Sequence, residues 1–168
     1  MKKITLLSAI VLICFSCSDQ QAKKQYFEAS PEIDLCKKLV EAYNAEDWST
    51  FKSFYCDTAK VWHNSHYLAD PGKTVSEIVE GFKSSQAPLE YARFTSDSLW
   101  EMVITNEGEK WVHFWGKWVA KIKGSTSEIN MVTHIDYNVI DGKIVYEVGF
   151  WDNLQTYLAQ KEAGLIIE

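Results

Sequence analysis

The chain has 168 residues, 17 basic and 23 acidic, giving a formal charge of −6; 14% of it is aromatic, with seven Trp. The acidic balance argues against a nucleic-acid-binding surface, and the length suits one domain with a real core. Neither a Gly-x-Ser-x-Gly elbow nor a phosphate-cradling glycine loop is present, which sets aside nucleophile-elbow hydrolases and nucleotide binders.

Met1-Lys2-Lys3 and the apolar run Ile4 to Phe15 have the layout of an export signal, too short for a comfortable bilayer span. The run ends Phe15-Ser16-Cys17-Ser18-Asp19: an apolar segment, a small residue, a Cys, then polar sequence. It resembles the lipobox of bacterial lipoproteins, with Cys14 where Leu is usual. That resemblance implies lipidation of Cys17 and export to a bacterial membrane, expected to be the outer one. The folded part would then stand in the periplasm or at the cell surface. The expected organisation is a signal over 1–16, a flexible tether over 17–29 and one domain over 30–168. Loss of residues 1–16 takes Lys2 and Lys3 with it and deepens the charge from −6 to −8.

Ser30-Pro31-Glu32 is a helix start, with a capping Ser, Pro in the first position and an acid in the first turn. Ile33, Leu35, Cys36, Leu39, Val40 and Tyr43 then recur at helical spacing. Asn44-Ala45-Glu46-Asp47 breaks this helix, and Asp47 can cap a short second one carrying Trp48, Phe51 and Phe54-Tyr55. Cys36 and Cys56 lie at similar distances from the turn between them, either as a disulfide or as two free thiols. Ala59 to Asn64 reads as a short strand, and Asp70-Pro71-Gly72 as a loop. Thr74 and Glu77 form a capping box for a third helix over Val75 to Ser84.

Beyond Pro88 the sequence turns aromatic and β-branched. Four long strands are expected, over 91–105, 110–123, 127–140 and 143–151, joined by Asn106-Glu107-Gly108, Gly124-Ser125 and Asp141-Gly142. A last helix covers about 153–161. Helices first and an antiparallel sheet afterwards make an α+β layout.

Particular residues carry a further likeness. These are Asn44-Ala45-Glu46-Asp47-Trp48, the strand Val61-Trp62-His63-Asn64, the hairpin Asp136-Tyr137-x-Val139-x-Asp141-Gly142-Lys143-Ile144, and Trp151-Asp152-Asn153. In this order they resemble the NTF2-like superfamily, including the SnoaL-like polyketide cyclases and ketosteroid isomerases, over about residues 31 to 160. The resemblance implies a cone: N-terminal helices packed in a strongly curved antiparallel sheet, a short C-terminal helix, and a cavity within. It also implies a small apolar or aromatic molecule as ligand, and a homodimer through the sheet.

Asp136 matches the acidic position that such cyclases and isomerases use on this strand, as acid/base or as a protonated donor. An apolar pocket would penalise its ionised form. His134 lies two residues away on the same face, with Val132 and Asn138, and could shuttle protons. His63 falls on the early strand where the isomerases carry an aspartate. Asp136, His134 and His63 are therefore the candidate catalytic set. Trp62, Trp100, His113, Trp115, Tyr146, Phe150 and Trp151 are candidate ligand contacts, with core filling as the alternative. The histidines lack a familiar zinc spacing such as His-x-x-x-His, so neither metal nor cofactor is expected. Three functions stay open: ligand binding in a cone on a membrane-anchored protein, proton-transfer catalysis of an isomerisation, cyclisation or dehydration, and a dimerising module without ligand.

Overall fold

A computed structural model describes residues 25–66 and 70–166; the residues read as an export signal, and Cys17, lie outside the described residues. Helix α1 spans Pro31–Asn44, and the Ser30 hydroxyl accepts from the Ile33 amide at 3.1 Å. Helix α2, Trp48–Ser53, is capped by Asp47. Helix α3, Val75–Gln86, carries the expected reciprocal box between Thr74 and Glu77. Each cap satisfies amides that the first turn leaves without a helical partner, which fixes where the helix begins.

The strands are β1 (Tyr26–Phe27), β2 (Tyr55–His63), β3 (Leu89–Phe94), β4 (Leu99–Ile104), β5 (Lys110–Ile122), β6 (Glu128–Ile140) and β7 (Lys143–Trp151), with α4 (Leu154–Glu162) after them. They form one curved sheet in the order β1-β4-β5-β6-β7-β2, with β3 pairing the far half of β5. Four points differ from the sequence reading. The segment taken as a tether contributes β1, paired with Val103 and Met102. The expected strand over 91–105 is two, β3 and β4, on successive stretches of β5. Strand β2 begins at Tyr55 rather than Ala59. It runs parallel to β7, so the sheet is mixed rather than wholly antiparallel. Cys36 and Cys56 are free thiols, the first buried.

The helices fill the concave side. Ile33 and Leu39 of α1 meet Val112 and Phe114 of β5, Tyr137 of β6 and Ile144 of β7 in one buried cluster. The β6–β7 hairpin turns on Asp141 and Gly142, with φ of 50° and 72°, the two positive values a tight hairpin turn requires. Above the turn, Val139 pairs with Ile144 but Asn138 pairs with Tyr146. Val145 is thus an extra residue, a bulge that moves everything beyond it on β7 by one place. As a result Glu147 sits opposite Tyr137, and Val148 opposite Asp136.

Candidate functional site

The concave face encloses a cavity of about 350 Å³. Its walls are aromatic and aliphatic, with Tyr43 from α1, Phe51 from α2, Phe82 from α3 and Trp118 from β5 among them. Edge-to-face packing locks these rings: Tyr43 and Phe82 lie 5.1 Å apart at 83°, and the Trp118 indole donates to the Tyr43 hydroxyl at 3.0 Å. Asn153 and Thr156, at the start of α4, complete the lining at one side.

One acid lies in this apolar surround. Glu147 is 3% exposed. Its Oε1 lies 2.6 Å from His63 Nε2, and its Oε2 accepts the Tyr55 hydroxyl. Three elements therefore meet: β7 supplies the carboxylate, while the two ends of β2 supply the phenol and the imidazole. His63 is paired in register with Gly149, and a Cβ at that glycine would stand 3.1 Å from the imidazole Cδ2 and 2.9 Å from the Trp151 ring. Gly149 is what lets His63 lie across β7 between Trp151, whose ring is 4.9 Å away, and Phe82.

Burial and the neighbouring Glu147 carboxylate push the phenols of Tyr55 and Tyr137 well above their usual range. The Cys36 thiol is raised in the same way, by burial first and Glu147 second. All three stay protonated at neutral pH, so Tyr55 acts as a donor to Glu147 and not as a base. His63, 14% exposed at its side chain and lining the cavity, is the group a bound molecule can reach. An imidazole held by a carboxylate on one nitrogen can take up and return a proton at the other.

Of the residues singled out from sequence, His63 and Trp151 line the cavity. Asp136 and His134 do not. They share a face, as period-two geometry requires, but it is the convex one, where Val132 is 71% exposed. The cavity takes Met131, Thr133, Ile135 and Tyr137 instead. Trp115, Tyr146 and Phe150 are likewise exposed on the outer face. Trp62 is buried there beneath the 70–72 loop, its indole nitrogen donating to the Asp70 carbonyl at 2.9 Å. Trp100 packs on Phe114 in the core, ring centroids 4.3 Å apart. His113 is also convex. Its Nδ1 lies 2.5 Å from Asp136 Oδ1, and His134 Nε2 is 2.9 Å from the same oxygen. The bond to Asp136 outweighs partial burial and raises the His113 pKa.

Glu147 and Tyr55 were the residues the sequence reading missed. Along β6 the signal was present: Ile129, Met131, Ile135, Tyr137 and Val139 form an apolar odd-numbered set, against Asn130, His134, Asp136 and Asn138 on the even side. For Glu147 no such signal exists, because its face depends on the bulge at Val145.

The fold is that of the SnoaL-like and ketosteroid-isomerase-like proteins, the NTF2-like cone. A candidate SnoaL-like polyketide cyclase from Shewanella denitrificans OS-217 matches with a TM-score of 0.58 at 12% identity, over 79% of this chain and 98% of that one. An LEH-like epoxide hydrolase of M. tuberculosis matches at 0.56 and 11%, over 82% and 96%. A protein of ketosteroid isomerase-like fold from Catenulispora acidiphila, solved in complex with trimethylamine, matches at 0.57 and 9%, over 78% and 92%. No family model and no curated protein matches the sequence.

Proposed function

We propose that the protein binds a small, largely apolar molecule in its cone and holds it against the His63–Glu147 pair. The observation carrying this reading is the cavity itself: about 350 Å³ of mostly apolar wall with a single buried carboxylate, bonded to an imidazole that reaches the lumen. Such a site has the size and the sparse polar marking of a small-molecule pocket. Mass spectrometry of the purified protein under native conditions tests it, with a co-purifying molecule of a few hundred daltons as the expected result. A protein recovered empty, with Trp118 and Trp151 emission unmoved by a panel of apolar and aromatic compounds, would overturn the reading.

A second reading adds turnover. His63, oriented by Glu147, has the arrangement of a general base for isomerisation, cyclisation or dehydration. Here His63 and Glu147 take the roles that the sequence suggested for His134 and Asp136. Turnover of a bound compound lost in His63→Gln, with its affinity retained, separates catalysis from binding.

We propose further that the chain is anchored to a membrane by a lipid on Cys17, on the strength of the lipobox-like run that ends there. Fractionation of cells expressing the full chain tests it: the protein is expected with membranes, and Cys17→Ser with the released fraction. Pairing of two copies through the sheet draws support from Leu99, Trp115, Val132 and Phe150, all exposed on the convex side. Sedimentation of the wild type against Trp115→Lys reads that directly.

A further inference from the structure

The convex cluster stands apart from the cavity and has a chemistry of its own. Asp136, paired across strands with His113, sits beside His134, which is paired with Phe150. The two imidazoles stack at 14° with centroids 6.0 Å apart, so their ring nitrogens converge on one carboxylate oxygen from parallel planes. One donor atom from each of the three residues lies within 4.8 Å of the others. The Trp115 ring, 4.0 Å from that of His134, walls one flank.

We propose that His113 Nδ1, His134 Nε2 and the Asp136 carboxylate form a binding site for a divalent transition-metal ion, Zn²⁺ being the best fit. Two imidazoles and one carboxylate suit Zn²⁺ and its neighbours, whereas Ca²⁺ needs six or more oxygens and Cu⁺ prefers sulfur. At metal–ligand distances of about 2.0–2.2 Å, tetrahedral donors stand roughly 3.4 Å apart. The 2.5 and 2.9 Å contacts are shorter than that, so the rings need part from the carboxylate by less than about 1 Å to admit the ion. The ion takes the place of the protons that the two rings share with Asp136: a neutral ring moves its proton to the nitrogen away from the metal, and a ring that carries two protons releases one. Three protein ligands leave at least one position open to solvent or to a bound molecule, as in catalytic rather than structural sites.

The rest of the surround sets the strength. Glu101, paired in register with His113, adds a second carboxylate whose field already acts on that imidazole. Opposing this, His134 Nδ1 is enclosed and has no hydrogen-bond partner among the described residues. With Nε2 on a metal this nitrogen must carry the ring proton, and an outer acceptor of the kind that steadies most metal-bound histidines is missing. That lack weakens binding tenfold to a hundredfold, so micromolar rather than nanomolar affinity is expected.

Calorimetric titration of the purified full chain with Zn²⁺ tests the site. The expected result is one ion per chain at micromolar affinity, and visible d–d absorption of a four- or five-coordinate centre when Co²⁺ is used instead. His134→Gln and Asp136→Asn each weaken binding at least tenfold, while His66→Gln, at an exposed histidine outside the cluster, leaves it unchanged. Circular dichroism checks that each variant keeps its fold. The proposal fails if no saturable binding is seen up to about 1 mM Zn²⁺. It fails equally if the two cluster variants, folded, bind as the wild type does.

Discussion

The same sheet carries two clusters of histidine and carboxylate, one on each face, and they differ in everything except composition. On the concave side Glu147 is 3% exposed, and a phenol and an imidazole occupy both its oxygens. On the convex side the side chain of Asp136 is 23% exposed, and two imidazoles share one of its oxygens. Water reaches the second cluster and screens it; the first is bound into the core. A buried carboxylate cannot lose a partner cheaply, because the group left behind keeps its desolvation cost. The half-exposed one can, because solvent takes over. The inner cluster is therefore part of what holds the fold together, and the outer cluster is free to exchange its protons for something else.

The strongest way to break this comparison is to shift the register that creates it. Inserting one residue between Tyr146 and Glu147 turns Glu147, Gly149 and Trp151 to the convex face, since a one-residue slip flips every side chain beyond it. The expected outcome is a chain without a cooperative thermal transition or near-ultraviolet dichroism. An insertion variant that melts like the wild type would show that the register of β7 does not set which acid is inside.

Next comes the asymmetry between the two acids. Glu147→Ala leaves the Tyr55 hydroxyl and His63 without their partner in a closed site, and is expected to cost about 3 kcal/mol in urea unfolding. Asp136→Ala is expected to cost no more than about 1 kcal/mol, as for other partly exposed ion pairs. Equal losses would mean that the two faces are equally wet. Gly149→Ala follows in size. The added methyl meets Trp151 and His63, and overpacking of this kind costs about 1–3 kcal/mol. It should also displace the imidazole, weakening whatever binds in the cone more than it weakens Zn²⁺ on the outside.

These contrasts also mark what the sequence could convey. Ser30, Asp47 and the Thr74–Glu77 box placed three helix starts, because a cap is a local event that needs no tertiary context. The Asp141-Gly142 hairpin was legible for the same reason. The order of elements conveyed an α+β layout, and the cone came from the resemblance that this order and the last hairpin carry. The inward face of β6 was written in its alternation, Ile135 and Tyr137 against His134 and Asp136. On β7 alternation pointed the wrong way, since Ile144, Tyr146, Val148 and Phe150 are the apolar set and Glu147 lies outside it. The bulge at Val145 contains no glycine and has no local signature, so the buried acid could be found only in the folded chain. The parallel pairing of β2 with β7, which brings Tyr55 and His63 to that acid, is likewise a long-range event.

The smallest expected effect sharpens the comparison on the pH axis. Tyr55, Tyr137 and Cys36 have folded pKa values raised above their ordinary 10.0, 10.0 and 9.0, by burial and by the Glu147 charge. For a group whose pKa is raised on folding, the unfolded chain gives up its proton first. Its stabilising contribution is whole below the unfolded value and is lost as pH rises toward the folded one. Stability should therefore hold level through neutral pH and begin to fall above about pH 9, where the unfolded thiol ionises, and more steeply above about 10, where the phenols follow. Tyr137→Phe removes one of these protons without removing the ring, so its alkaline limb should be shallower than the wild type's. Substitution at Asp136 should move that limb least, because its charge acts on Tyr137 from the other side of the sheet and is the smallest of the causes that raise that phenol. A limb altered more by Asp136→Asn than by Tyr137→Phe would assign the alkaline loss to the convex cluster and reverse the distinction between the two faces.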